Sequence, residues 1–259
     1  MTTRRTRILA ALTADGSASV RDLADALDVS ESTIRRDLQT LDQNGELVRT
    51  HGGAVFQPRS TIAAAGEPAV LERSWSEGDL VERPIKLAMA RLAASIVVDG
   101  DVVLLDIGTT TPFIAQELRG RPVTVVTSNM AVLDILRDDD SVRVIMLGGV
   151  LRRNYRSLVG SLTQNALNQI SADIVFLSCT GVRDNGFVVD DMAVEAPIKY
   201  KMIEVSSRIV VLAAGRKFPG TGSLRLCSVA DVDVLITSEG ASETALNICR
   251  EAGGKVMIA

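Results

Sequence analysis

Apolar residues near the start of the chain recur at helical spacing. Ile8, Leu9 and Leu12 mark one stripe, which predicts a helix over about 3–14 that Asp15-Gly16 ends. Val20, Leu23, Ala24 and Leu27 mark a second helix, and Ser19-x-x-Asp22 ahead of it has the form of a capping box. After the short turn Asp28-Val29, Ser30 is a suitable N-cap for a third helix over 31–44, with Gly45 in the C′ position. Two β-prone stretches then flank Gly52-Gly53 between Glu46 and Phe56, which predicts a hairpin. Two short helices joined by a tight turn and followed by such a hairpin describe a winged helix-turn-helix over residues 1–56.

The third helix can be oriented from its own pattern. Ile34, Leu38 and Leu41 fall at i, i+4 and i+7 and must face a core. Ser32, Arg36 and Gln39 then point away from it, flanked by Thr33 and Arg35, while Asp37 lies near the core edge beside the arginines. Hydroxyl, amide and guanidinium groups on one exposed face are the side chains that meet phosphates and base edges. The candidate DNA-contacting residues are therefore Ser30, Ser32, Thr33, Arg35, Arg36 and Gln39, together with Arg49, His51 and Gly52 of the wing. His51 is the only histidine, and a solvated turn residue explains it as well as a DNA contact does. Charge does not make the assignment by itself. The chain carries −4, and residues 1–56 hold seven Arg against eight acids, so the placement of the arginines matters more than their number.

Residues 57–78 have no clear period and contain Pro58, Ala63-Ala64-Ala65-Gly66 and Pro68, which predicts a linker, with a short helix near 70–75. From residue 79 the pattern changes to short apolar runs separated by amphipathic stretches. The runs are 102–107, 123–127, 142–147, 174–178, 209–213, 234–237 and 256–258; the helices between them include 86–96, 130–136, 160–170, 195–206 and 242–252. Such alternation over 79–259 predicts a mainly parallel sheet covered by helices on both faces, giving an α/β fold overall. Only 3% of the residues are aromatic, so the core must be built from Ala, Val, Leu and Ile.

Ligands of such sheets bind beyond the carboxyl ends of the strands. Four loops lie there. Gly108-Thr109-Thr110-Thr111 leaves a strand and opens a helix, offering hydroxyls and free N–H groups to a phosphate. Ser128-Asn129 follows the next strand, Gly148-Gly149 the third with Arg152, Arg153 and Asn154 close behind, and Thr180-Gly181 the fourth. Each alone is also what strand-to-helix capping requires, but together they favour a polyol-phosphate site.

Ser30-x-x-Thr33-Ile34-Arg35-Arg36-Asp37-Leu38, followed by Arg49-x-His51-Gly52-Gly53-Ala54, resembles the DeoR family of bacterial sugar-metabolism regulators. The resemblance continues into the C-terminal segment and implies a sensor domain sharing its fold with ribose-5-phosphate isomerase. It implies that Gly108, Thr109 and Thr110 match the family's D-S-G-T-T loop, with Ile107 replacing Ser, and that Asn129, Gly148, Gly149, Gly160 and Gly181 match further positions. Glu195 and Lys199 match an acidic-then-Lys helix, and Lys217-Phe218 the end of a D-x-S-K-F motif in which Ala214 here replaces Asp. Losing that acid removes a hydroxyl acceptor, while Lys217 still suits an anion. The resemblance also implies a repressor of a carbohydrate operon, released by a phosphorylated sugar or related metabolite.

The rival reading is a sugar-phosphate isomerase carrying a DNA-binding module. Isomerisation needs a general base, and with no histidine after residue 51 a carboxylate among Asp184, Asp190, Asp191 and Glu195 would have to serve. The regulator reading expects no catalytic residue. No cofactor is expected, nor a metal site, because no acids pair with His or Cys at ligand spacing. A short helix-turn-helix half-site calls for a homodimer or homotetramer on an operator in double-stranded DNA. Scattered Cys179, Cys227 and Cys249, the lack of a leading apolar segment and the lack of a bilayer-spanning run point to a reducing cytoplasm rather than a membrane.

Overall fold

The computed structural model describes residues 4, 5, 7, 8, 11, 12, 17–43, 47–49, 52–55 and 82–259. The chain divides into two compact units, Met1–Leu71 and Glu72–Ala259. The linker expected over 57–78, its short helix, Gly45 and His51 lie outside the described residues.

In the first unit, Arg4, Arg5, Arg7, Ile8, Ala11 and Leu12 are helical, followed by helices Val20–Leu27 and Glu31–Gln43. Ile8, Leu12, Val20, Leu23, Ile34, Leu38 and Leu41 close one core, as their spacing requires. The Ser19 hydroxyl accepts from the Asp22 amide at 3.1 Å, so the N-cap forms. The reciprocal half of the expected box differs: Asp22 accepts from the Ser19 hydroxyl at 2.7 Å, while the Ser19 segment joins a sheet. That sheet has three strands rather than two. β1 (Ser17–Ser19) pairs with β3 (Gly53–Val55), which pairs with β2 (Val48–Arg49), all antiparallel. Strand β3 comes so close to β1 that a Cβ on Gly53 would lie 2.1 Å from the Ala18 carbonyl oxygen, which explains the glycine.

The second unit is built on β4 (Val102–Leu105), β5 (Thr124–Thr127), β6 (Arg143–Met146), β7 (Val150–Arg152), β8 (Ser157–Val159), β9 (Ile174–Ser178), β10 (Gly181–Val182), β11 (Phe187–Asp190), β12 (Ile209–Ala213), β13 (Leu224–Ser228), β14 (Val234–Thr237) and β15 (Lys255–Ile258). Seven of them form one parallel sheet in the order β15-β14-β12-β9-β4-β5-β6. Alternate residues of each strand feed two cores. Val103, Leu105, Val125, Phe176, Val210 and Leu212 pack beneath Arg83–Ser95, Thr111–Leu118 and Met130–Leu136. Leu104, Val126, Val175, Leu177 and Val211 pack beneath Ser161–Leu167, Ala196–Glu204 and Glu243–Glu251. Both faces are apolar, as a buried parallel sheet demands. Four expected strands shift at their ends: 102–107 stops at Leu105, 142–147 narrows to Arg143–Met146, 123–127 begins at Thr124, and 256–258 begins one residue earlier at Lys255.

The chain first runs outward from β4 through β5 to β6, then returns to place β9 on the other side of β4 and continues to β12, β14 and β15. The order therefore reverses between β4 and β9. In sheets of this kind, ligands bind beside the carboxyl ends of the strands at such a reversal. Beside it stand the hairpin β7–β8 and the small antiparallel sheet β10-β11-β13.

Candidate functional sites

The DNA-facing candidates lie along Glu31–Gln43. Ser32, Arg36 and Gln39 are exposed, opposite buried Ile34, Leu38 and Leu41. Arg36 has no ion-pair partner among the described residues, whereas Arg35 is tied to Glu31 at 2.6 Å one turn earlier. The Ser30 hydroxyl accepts from the Thr33 amide at 3.3 Å and meets the Ser32 and Thr33 hydroxyls at 2.9 Å, so it caps the helix as well as edging this face. Asp37 is buried and takes bonds from Arg4 at 2.6 Å and Arg5 at 3.1 Å. Burial raises its pKa, yet the two guanidinium groups win and hold it below the ordinary carboxylate value. This pair locks the first helical segment onto the helix that carries the exposed arginines. Gly52 is exposed at the wing, and the Arg49 backbone lies in β2.

At the carboxyl edge of the large sheet, Asp106 directly follows β4 and Ser178 ends β9, the two strands at the reversal. The Ser178 amide and hydroxyl donate to Asp106 Oδ2 at 3.0 and 2.5 Å. Lys199, on the first turn of the helix Ala196–Glu204, reaches the same point. Its Nζ lies 3.2 Å from Asp106, 2.6 Å from Asp190 and 3.9 Å from Glu195, and donates to the Ser178 carbonyl at 3.0 Å. Lys199 is 2% exposed and Glu195 3%. Burial opposes the Lys199 charge, but the three carboxylates hold the ammonium protonated well above its ordinary range. Asp190 is held below its ordinary value for the converse reason, with burial overcome by Lys199. Glu195 fares differently: burial pushes it up to about 7 despite Lys199 and Arg152. Arg152, at the end of β7, bonds to Glu195 at the N-cap of the helix Ala196–Glu204.

The loop Gly108–Thr111 is fixed from beneath. Thr111 donates to the Asp106 and Gly108 carbonyls at 2.6 and 2.8 Å, and the Asn129 amide donates to the Gly108 carbonyl at 3.3 Å. Asn129 also caps Met130–Leu136 through Ala131 N–H at 2.9 Å. Both residues are fully buried, so their polar atoms serve the loop itself, while Thr109 is half-buried. A Cβ on Gly108 would lie 2.3 Å from Ser178 Cβ, so the loop can approach β9 only with glycine there. Gly148 is exposed beyond β6, where its carbonyl accepts from Thr163 at 2.6 Å, and Gly149 follows it. Thr180 donates to the Val189 carbonyl at 3.0 Å, and Gly181 abuts Gly220. Lys217 follows β12, and its Nζ donates to the Cys179 carbonyl. Burial lowers the Lys217 pKa despite the attraction of Asp190, and Lys217 makes no ion pair among the described residues. Ala214 is buried at the root of this loop.

The structure thus gathers Gly108, Thr109, Thr110, Ser128, Thr180, Gly181, Glu195, Lys199 and Lys217 on loops and a helix at one edge of the sheet, with Gly148 and Gly149 beyond its outer strand. Sequence reasoning missed the centre of the cluster. Asp106 and Ser178 were visible as strand-end residues beside the glycine loop, and Asp190 appeared only as a candidate base. Their convergence on Lys199 depends on β9 crossing back beside β4, which no local pattern records.

Residues 4–59 match the DeoR-like helix-turn-helix domain and residues 82–239 the DeoR C terminal sensor domain. The chain is 28% identical over 236 residues to the L-fucose operon activator of Haemophilus influenzae, covering 91% of each chain. It is 32% identical over 185 residues to the lactose phosphotransferase system repressor of Lactococcus lactis, covering 70% of this chain and 69% of the other. Among solved structures, ribose 5-phosphate isomerase A of Methanocaldococcus jannaschii is similar at 17% identity and a TM-score of 0.39, over 52% of this chain and 54% of that one. No helix among the described residues is long and apolar enough to cross a membrane. With a DeoR-like helix-turn-helix in front and a DeoR sensor domain behind it, the chain belongs to the DeoR family of DNA-binding transcription regulators.

Proposed function

We propose that this protein represses a carbohydrate operon in the cytoplasm as a homodimer or homotetramer and releases its operator on binding a phosphorylated sugar. Arg36, Gln39 and Ser32 read the operator, with Arg49 and the wing tip on neighbouring phosphates. The observation that carries the sensing half is the set of polar loops at the strand reversal, where glycine, threonine and serine groups meet Lys217. Lys199 is already neutralised by three carboxylates, so the charge for a phosphate comes from Lys217 and from the N–H groups of residues 108–110. Asp106 and Glu195 suit sugar hydroxyls. The relatives support a sugar-operon role through their names, one an activator and one a repressor.

Thermal unfolding of the whole protein against fructose 6-phosphate, glucose 6-phosphate, ribose 5-phosphate and the parent sugars tests this reading. A phosphorylated sugar is expected to stabilise the protein, the parent sugar much less, and Lys217→Ala to abolish the difference. Equal shifts for phosphorylated and parent sugars would sink it. One observation favours the isomerase reading: Glu195, pushed up to about 7, is a suitable general base. Turnover of the same sugar phosphates by the purified protein decides that point; the regulator reading expects none.

A further inference from the structure

The hairpin β7–β8 stands over the strand reversal and is tied down at both ends of its turn. Arg152 bonds to Glu195, and Arg156, held at a left-handed φ of 52°, bonds to Asp134. The two ties differ in kind. Arg156 and Asp134 are both substantially exposed, so that pair is screened by solvent. The Arg152–Glu195 pair is largely buried and joins the hairpin to the helix bearing Lys199.

Beneath the hairpin lie polar atoms without partners. The Ser157 hydroxyl on β8 and the Ser128 hydroxyl on the loop it covers are fully buried and unpaired, although their backbones are joined by a Leu158 N–H to Ser128 carbonyl bond of 2.9 Å. Asp106 Oδ1 is buried and unpaired as well. Leaving a buried polar group unpaired costs stability, so three such atoms on adjoining loops point to a polar occupant.

We infer that Arg152 is a direct ligand of the effector's phosphate, that it leaves Glu195 to reach it, and that Glu195 takes up a proton as it does so. This rests on the sugar-phosphate reading above. The charges facing Glu195 explain the exchange. Arg152 comes from β7, Lys199 from its own helix, Asp106 from β4 and Asp190 from β11. Three carboxylates face two cations while the pair is closed. Withdrawing Arg152 leaves three against one in a buried site, and protonating Glu195 removes the excess negative charge at the least cost. Glu195 already holds its proton up to about pH 7, so it needs little further bias. With Arg152 swung away, the Ser128 and Ser157 hydroxyls and Asp106 Oδ1 lie on the side from which the sugar is met, while Arg156 and the Leu158 backbone keep the hairpin in place. Effector binding therefore redirects Arg152 and consumes a proton.

Titration calorimetry of the whole protein with fructose 6-phosphate, glucose 6-phosphate and ribose 5-phosphate tests this, at pH 8 in two buffers of different ionisation heat. The wild-type protein is expected to take up close to one proton per site, and its affinity to fall as pH rises from 7 to 9. Glu195→Gln is expected to lose both the buffer-dependent heat and the pH dependence. Arg152→Ala is expected to bind about tenfold or more weakly, with Arg152→Lys intermediate. Binding without proton uptake, or wild-type affinity in Arg152→Ala, overturns the inference and leaves the sugar-phosphate reading standing. Failure of every sugar phosphate to bind the wild-type protein overturns both.

Discussion

Glu195 holds a charge that the fold disfavours. The residue is 3% exposed, and burial pushes its carboxyl up to about 7, against an ordinary value of 4.5. A raised carboxyl pKa means that the folded state keeps a proton which the unfolded chain gives up. Stability linked to this group is therefore complete below about 4.5, is lost as pH rises toward 7, and stays lost above. Glu195→Gln removes the penalty. The variant is expected to match wild type near pH 4.5 and to exceed it at pH 8 by up to roughly 3 kcal/mol, read by chemical unfolding at both pH values. A variant weaker than wild type at pH 8 would mean that the ion pairs outweigh desolvation. At the other end of the chain, Arg36 is the exposed arginine of its helix without an ion-pair partner among the described residues. Arg36→Ala is expected to cost about 1–3 kcal/mol in operator affinity and to relax preference at one base if it grips a guanine. An even loss across sequences with a smaller salt slope would assign it to phosphate instead.

Elements with a strong period were legible before the fold was known. Ile34, Leu38 and Leu41 oriented a whole helix, and runs such as Ile174–Ser178 and Ile209–Ala213 came out with their exact bounds because buried parallel strands are continuously apolar. Short polar strands were not legible. Ser17-Ala18-Ser19 carries no apolar alternation and becomes a strand only because β3 lies beside it. The hairpin β7–β8 and the sheet β10-β11-β13 likewise consist of strands of two to five residues whose pairing is set by tertiary neighbours. The candidate site followed the same division. Its glycine and threonine loops were visible, while the Asp106–Lys199–Asp190 cluster was not, since its members come from three separate segments. Close approach supplies a test at this scale. Gly53→Ala would place a methyl 2.1 Å from the Ala18 carbonyl oxygen, and backbone cannot yield cheaply. The variant is expected to lose protection of the β1–β3 amides in hydrogen exchange and to bind DNA poorly, with the second unit unaffected. Unchanged exchange at β1 would refute the pairing.

For the whole molecule, the proposed function couples the DNA-reading unit to the sensing unit through assembly. On the proposed function one helix reads a short half-site, and tight binding then calls for two copies on one operator. A duplex with both half-sites is expected to bind far more tightly than one with a single half-site, and the ratio is expected to depend on their spacing in helical turns; equal affinities would contradict a paired arrangement. An effector can release the operator only by favouring the arrangement that fits it less well. The most direct measurement is fluorescence anisotropy of the full-length protein on a duplex selected from a random library, titrated with sugar phosphates and with the parent sugars. The account predicts that at least one phosphorylated sugar lowers operator affinity, that its dephosphorylated form does not, and that Lys217→Ala stays on the DNA. Operator binding that ignores every sugar phosphate, or responds equally to the parent sugar, would contradict it.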